Sequence, residues 1–350
     1  MFIKQRVPPK YIPSIPNMPE VLRRIFASRG ITEASQLDKQ LQTLLPFDTF
    51  KGINDACVRL EKALREQQRI IIIGDFDADG ATSTALAMTA LRAMGAQFID
   101  YLVPNRFEFG YGLTPQIVDV ASKWKPALII TVDNGIASFD GVERANQLGI
   151  DVLITDHHLP AEMIPNACAI VNPNQQGCQF PSKSIAGVGV IFYVMLALRR
   201  YLINTKWFHE MNIAEPNMAS FLDLVALGTV ADVVGLDRNN RIMVNQGMAR
   251  IRQGLCRVGI KALIEISGRE CARLRESDLG FAIAPRLNAA GRLDDMALGI
   301  ECLISTDEQQ AKSYCQQLDE LNEERKQIEI EMKEQALLAL EKLVLEIGRA

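Results

Sequence analysis

Ile70-Ile71-Ile72-Ile73-Gly74-Asp75-Phe76-Asp77-Ala78-Asp79-Gly80 opens on four consecutive isoleucines and closes on three alternating carboxylates and a glycine, with a helix-forming stretch from Ala81 to Met94 behind it. A short apolar run without polar alternation is the pattern of a strand buried on both faces, as in parallel sheets. Outward from it, further short apolar runs follow at Phe98-Val103, Ala127-Val132, Asp151-Thr155 and Ala169-Val171, separated by helix-length segments. That alternation predicts βαβ units. After Gly187 the pattern turns helical to about Ile304. The expected fold class is therefore α/β: a parallel β-sheet domain flanked by helices, then a mostly helical subdomain and a long connecting helix.

The expected organisation has four parts. Residues 1–50 form an extended arm punctuated by Pro8, Pro9, Pro13, Pro16, Pro19 and Pro46, with a short helical pattern between Pro19 and Arg29. Residues 51–185 form the α/β domain and 186–305 the helical part. Residues 306–350 form the connector, since Thr306 to Ile347 contains neither proline nor glycine and its apolar residues recur at helical spacing. Some forty helical residues reach roughly 60 Å, more than one compact domain needs, so a further C-terminal part of the natural protein is expected beyond Ala350.

Composition narrows the class. In 350 residues, 48% of them apolar, there is material for a large core. No run of eighteen apolar residues occurs and Met1 to Lys10 lacks a signal-peptide core, so a soluble cytoplasmic protein is expected. The seven cysteines are scattered and never spaced CxxC, which argues against a disulfide framework or a zinc knuckle. A net charge of −4 gives no basic footprint for nucleic acid. The imbalance is local, however, because residues 307–350 hold six Lys/Arg against eleven Asp/Glu and leave the remainder at +1.

Four acidic patches carry the chemistry. Asp75, Asp77 and Asp79 leave the first strand tip together; Asp133-Asn134-Gly135 follows the Leu128-Val132 run; Asp156-His157-His158 follows Val152-Thr155; and Asp232 closes Gly228-Thr229-Val230-Ala231-Asp232 in the helical half. The carboxyl ends of strands are where open α/β sheets place their ligands. Like charges about 4 Å apart repel by roughly 4 kcal/mol at an effective dielectric near 20, and several such pairs would threaten a domain stable by only about 5 to 15 kcal/mol. Divalent metal resolves the conflict, and hard carboxylates with one or two imidazoles suit Mn²⁺ or Mg²⁺. So many acidic ligands with one bridging Asp predict a pair of ions about 3.5 to 4 Å apart, an arrangement that hydrolyses phosphate esters. An EF-hand loop matches from Asp75 to Gly80, but it needs Glu at the twelfth position, where Leu86 stands, and a helix rather than a strand before it. Taken singly, each of these acidic residues is equally readable as a helix cap or a turn residue.

Asp-Phe-Asp-Ala-Asp-Gly, Val-Asp-Asn-Gly-Ile, Thr-Asp-His-His and Gly-Thr-Val-Ala-Asp-Val-Val are similar, in order and spacing, to the four motifs of the DHH phosphoesterase family. Pro104-Asn105-Arg106, Gly110-Tyr111-Gly112-Leu113, Val171-Asn172-Pro173, Ala186-Gly187-Val188-Gly189 and the segment Ala284 to Arg292 resemble the branch of that family that degrades single-stranded DNA, and the likeness covers roughly residues 50–310. The resemblance implies a metal-dependent 5′-to-3′ exonuclease of DNA repair and recombination. It implies that Asp75 and Asp77 hold one ion with Asp133, that Asp133 bridges to a second, and that Asp79, His157 and Asp232 hold the second. It places His158 at the scissile phosphate or leaving oxygen, and makes Asp156 an orienter of an imidazole. Arg106, Arg286 and Arg292 are implied phosphate contacts, since a guanidinium fork matches phosphate oxygens in pairs; Asn288 and a base-stacking Tyr111 are further candidates. Single-stranded DNA is the implied partner, with a single-strand-binding protein and a helicase beside it. A glycine-rich phosphate motif and an OB-like module of such relatives are not found in this sequence. Within the family the alternative substrates are short oligonucleotides or cyclic dinucleotides, and a non-catalytic scaffold would have lost ligands that are all present here.

Overall fold

The computed structural model describes residues 12–104 and 110–347, with side chains up to residue 340. Five strands, β1 (Ile70–Gly74), β2 (Ile99–Leu102), β3 (Leu128–Val132), β4 (Asp151–Thr155) and β5 (Ala169–Val171), coincide with the five apolar runs. They form one sheet in the order β2-β1-β3-β4-β5, every pair parallel. The chain runs outward from β1 to β2, then returns to place β3 on the other side of β1. This reversal is a topological switch point, where doubly wound sheets open a crevice at their carboxyl edge.

The isoleucine run is buried on both faces, as an uninterrupted apolar strand requires. Ile70 and Ile72 join a large core with the helices Ala78–Ala93, Gly187–Asn204 and Leu222–Ala231, whereas Ile71 and Ile73 join a smaller core under Pro115–Ser122 and Phe139–Gln147. The larger cluster runs on without a break to Leu318, so the helical half packs directly on the sheet. Its helix Gly187–Asn204 is apolar and long enough to cross a membrane, but most of it lies inside this core. The arm carries a helix at Glu20–Ala27 and then lies along the Arg238–Arg252 helix, where Leu45 N–H donates to Asn239 Oδ1 at 3.1 Å and Arg241 donates to the Gln36 carbonyl at 3.1 Å. The terminal helix spans Glu308–Ile347; its first part is packed against the Val258–Ile266 and Ala284–Leu293 helices, and Ile330, Met332, Leu337, Leu338 and Leu340 further along are exposed. All seven cysteines are free thiols.

Candidate metal centre

Register brings the acidic residues to one level. Gly74 pairs with Val132 and Val132 with Thr155, so Asp75, Asp133 and Asp156 leave neighbouring strands at the same height, on either side of the switch point. At the β1 tip Asp75 accepts from the Phe76 N–H at 2.7 Å, and Asp77 caps the Ala78–Ala93 helix by accepting from Gly80 N–H at 2.9 Å. Gly80 closes this turn because a β-carbon there would sit 2.4 Å from the Asp75 carbonyl oxygen. In the first turn of that helix, buried Asp79 accepts from Gly187 N–H at 2.6 Å and Val188 N–H at 3.0 Å, at the amino end of the Gly187–Asn204 helix. Backbone donors at a helix start hold a carboxylate well.

Asp133 occupies the left-handed region at φ +63 and its N–H donates to the Thr155 carbonyl at 3.0 Å, which turns the side chain inward from β3. His157 Nε2 lies 3.1 Å from Asp133 Oδ1 and 3.5 Å from Asp232 Oδ2. Asp232 arrives from the end of the Leu222–Ala231 helix and is followed by Val233 at φ +59, a costly conformation for a β-branched residue. Ligand atoms converge in three overlapping groups, each within 4.8 Å: Asp75, Asp77 and Asp133; Asp79, His157 and Asp232; and Asp133, His157 and His158.

The electrostatics of this centre are those of a site made for cations. Burial, then neighbouring carboxylates, pushes Asp75 up to about 6 and Asp79 and Asp232 up to about 7, and drives Asp133 well above the ordinary range. Burial holds the His157 imidazole below its ordinary value. Asp133 Oδ1, His157 Nε2 and Asp232 Oδ2 are buried with no hydrogen-bond partner. Two carboxylate oxygens and an imidazole nitrogen converging without partners fit a divalent ion such as Mn²⁺, since a buried polar group left unpaired costs about 1 to 3 kcal/mol.

Asp156 is a different kind of residue. Its Oδ1 accepts from His157 N–H, His158 N–H and His158 Nδ1 at 2.7, 3.0 and 2.7 Å, and its Oδ2 accepts from Ile136 N–H at 2.9 Å. Burial alone would raise this carboxyl, but the His158 contacts hold it below the ordinary range, and in return push His158 up to about 9. The imidazole it orients is thus that of His158, while His157 turns to the carboxylates. Tyr111 stands edge-on to Phe76 and His158, with ring centroids 5.9 and 6.2 Å away, and its hydroxyl bonds Asp75.

The remaining candidates divide. Arg106 lies outside the described residues. Arg286, expected as a free phosphate fork, is only 12% exposed; its Nε and Nη2 reach Asp319 of the terminal helix at 2.8 and 2.7 Å and its Nη1 the Ala282 carbonyl at 2.5 Å, so the fork is occupied within the protein. Asn288 Oδ1 accepts from the Ala78 N–H at 2.8 Å and thereby fixes the first acidic loop from behind. Arg292 is exposed and pairs with no described carboxylate. Two glycines quoted within the sequence motifs, Gly187 and Gly228, have a packing role at the site that the sequence reading did not assign. A β-carbon on Gly187 would lie 2.5 Å from Asp133 Oδ1, and one on Gly228 would lie 2.7 Å from Asp79 Oδ1. Their signal was present as glycine in otherwise apolar helical segments, a position that demands a packing reason.

The sheet order and this rim define a DHH-type phosphoesterase core, and residues 69–229 match the DHH family, N-terminal domain. The single-stranded-DNA-specific exonuclease RecJ of Escherichia coli (strain K12) is 56% identical over 93% of the chain, and that of Bacillus subtilis (strain 168) is 38% identical over 85%. Among solved structures, exonuclease RecJ bound to manganese superposes with a TM-score of 0.71 at 33% identity, covering 82% of this chain and 70% of that one. RecJ of Thermus thermophilus in complex with Mn²⁺ gives 0.72 at 31% identity, covering 88% of this chain and 42% of that one. The chain belongs to the RecJ branch of the DHH family. It spans 56% of the Escherichia coli relative's length and 35% of the Bacillus subtilis one's.

Proposed function

We propose that the chain hydrolyses phosphodiester bonds of single-stranded DNA stepwise from the 5′ end, in DNA repair and recombination, with two divalent ions, Mn²⁺ or Mg²⁺, as cofactors. The observation that carries this reading is the pair of ligand groups, Asp75-Asp77-Asp133 and Asp79-His157-Asp232, joined where His157 Nε2 meets Asp133 Oδ1 at 3.1 Å. Asp133 is the bridging residue of this assignment. Ions held there would supply Lewis acidity toward a phosphate oxygen and a water made nucleophilic at neutral pH. His158, held by Asp156 and protonated at neutral pH, is positioned to donate a hydrogen bond to the phosphate or the leaving oxygen. Arg292 supplies an unpaired guanidinium for the strand backbone, Asn288 holds the first acidic loop in place, and Tyr111 offers a ring at the mouth. In this reading residues 51–185 and 186–305 are two parts that complete one site between them. Cytoplasmic DNA processing beside a single-strand-binding protein and a helicase is the matching context, named for the relatives' substrate.

Strands labelled at one end or the other separate the alternatives. Mn²⁺ or Mg²⁺ is expected to switch on release of mononucleotides from the 5′ end of single strands and to leave duplex intact, with Asp133→Ala inactive. Equal digestion from both ends, or preference for dinucleotides or cyclic dinucleotides over longer strands, would refute the assignment.

A further inference from the structure

Val171-Asn172-Pro173 is a sequence motif that supplies no ligand to the metal centre, yet the structure places it beside both histidines. Thr155 pairs with Val171 in the β4–β5 register, so Asn172 leaves β5 level with Asp156 at the tip of β4. Asn172 is fully buried, and its amide orientation is fixed by chemistry. Its Oδ1 accepts from the Asn174 N–H at 2.7 Å, and a backbone N–H can only donate; Nδ2 therefore faces the His158 carbonyl, which accepts at 2.9 Å. Asn174 Nδ2 in turn donates to the His157 carbonyl at 2.6 Å and to the Lys183 carbonyl at 3.4 Å. Lys183 Nζ, on the Pro173 and Cys178 carbonyls at 2.6 and 3.0 Å, closes the loop that carries both asparagines. No backbone N–H among the described residues reaches either histidine carbonyl. The peptide joining the two histidines is thus gripped on both sides: its N–H, that of His158, donates to Asp156 Oδ1 at 3.0 Å, and its carbonyl, that of His157, accepts from Asn174.

We propose that Asn172 and Asn174 are positioning residues of the metal centre: they fix the backbone after β4 so that His157 faces Asp133 and Asp232 while His158 faces Asp156. A peptide is a rigid plane, and turning the one between the histidines changes ψ of His157 and φ of His158, the angles that aim their side chains. Asn174 holds that plane and therefore serves both imidazoles. Asn172 holds the next peptide and serves His158 alone. A local turn does not account for the pair. The bond from Asn172 Oδ1 to the Asn174 N–H is an Asx turn, which an aspartate makes equally well. Only an amide adds the donor, and both donors go to histidine carbonyls, which a carboxylate would repel. The proposal rests on the metal-dependent hydrolysis proposed above; the hydrogen bonds themselves do not.

The test compares Asn172→Ala and Asn174→Ala with Gln175→Ala. Gln175 stands in the same loop, is 4% exposed, and donates to the Ile170 and Lys51 carbonyls at 2.8 and 3.2 Å, reaching neither histidine carbonyl. All three variants should lower the melting temperature of the metal-free protein. Asn174→Ala should in addition bind Mn²⁺ about tenfold more weakly by calorimetry. Asn172→Ala should keep its Mn²⁺ affinity within about twofold and lose about a hundredfold in kcat on a short strand at saturating Mn²⁺, with KM unchanged. In the metal-free protein the hydrogen-bonded His158 Nδ1 proton should keep its downfield NMR position in Gln175→Ala and move in Asn172→Ala. Asn172→Asp and Asn174→Asp, which keep the packing and lose the donor, serve where an alanine variant does not fold. Their added charge attracts Mn²⁺, so weaker binding by Asn174→Asp still reports a displaced His157. Stability losses alone, with Mn²⁺ affinity, kcat and the His158 proton as in Gln175→Ala, would overturn the proposal. A wild type that binds Mn²⁺ and cleaves no strand sinks the nuclease function instead, and the calorimetric and NMR readings still decide the positioning.

Discussion

Gly187→Ala is the sharpest single perturbation of this centre, because one methyl group directly meets the carboxylate proposed to bridge it. The new β-carbon would sit 2.5 Å from Asp133 Oδ1 and 2.7 Å from its Cγ, against the 3.4 Å at which ordinary contact begins. The carboxylate or the helix must therefore retreat by about 0.9 Å. Both backbones are tied, Asp133 by its N–H bond to Thr155 and Gly187 by its N–H bond to Asp79, so the shift falls on the Asp133 carboxylate. A misplacement near 1 Å in a catalytic group costs about a hundredfold in rate, and overpacking of a dense interior costs about 1 to 3 kcal/mol of stability. Expected, then, are a hundredfold loss of turnover on an end-labelled strand and weaker Mn²⁺ binding by calorimetry, in a protein that still melts cooperatively. Gly189→Ala is the control, since its β-carbon meets the apolar side chains of Ile185 at 2.4 Å and Met243 at 3.5 Å and no carboxylate among its nearest neighbours. It should lose stability and keep its metal affinity. If Gly187→Ala retains turnover and Mn²⁺ affinity within about twofold, the claim that Asp133 must be held this tightly is wrong.

Removal of metal should make stability depend on pH in a definite sense. Asp75, Asp79 and Asp232 have folded values of about 6, 7 and 7, above the ordinary value of about 3.9; their contribution is intact below about pH 4 and is lost as pH rises to about 7. The melting temperature of the metal-free protein should fall across that window, and the gain on adding Mn²⁺ should be larger at about pH 8 than at about pH 5; a gain independent of pH would contradict the buried-carboxylate account. Calorimetric counting should find two Mn²⁺ sites in the wild type, one in Asp75→Ala or Asp232→Ala, and none in Asp133→Ala; one site remaining in Asp133→Ala would remove its bridging role. Arg286→Ala should cost between about 1 and 3 kcal/mol and speed proteolysis at the base of the terminal helix with strand affinity little changed. Arg292→Ala should do the reverse, and the opposite result for the pair would restore Arg286 as a phosphate contact.

The sheet was legible because its strands are unbroken apolar runs, and the acidic patches at Asp75, Asp133 and Asp156 were legible because each follows its strand at once, whereas Asp232 closes a helix. What the sequence conceals is which atoms meet across long separations. Two adjacent histidines leave β4, and nothing in their order says that Asp156 holds His158 while His157 turns to Asp133 and Asp232; the backbone path after Thr155 decides it. Arg286 and Arg292 lie on one short helix and look equivalent as letters. Only the docking of the terminal helix, which brings Asp319 to Arg286, separates a structural arginine from a free one. Asn288 reads as a turn residue or a site residue, and its partner Ala78 lies 210 positions away.

The centre is held in a form that the bare protein resists. Four carboxyls are pushed up by burial and by one another, and two residues beside the ligands, Asp133 itself and Val233, sit at positive φ. Each such conformation costs on the order of 1 to 3 kcal/mol and persists only where the surroundings over-determine it. The surroundings here are backbone donors: Gly187 and Val188 hold Asp79, Gly80 holds Asp77 and Ile136 holds Asp156, while Asn288 of the helical half pins the first loop through the Ala78 N–H. Because these contacts come from both halves of the chain, the geometry is set by the core that joins them. A cation then meets a site already formed, and its binding relieves the repulsion that folding alone leaves in place.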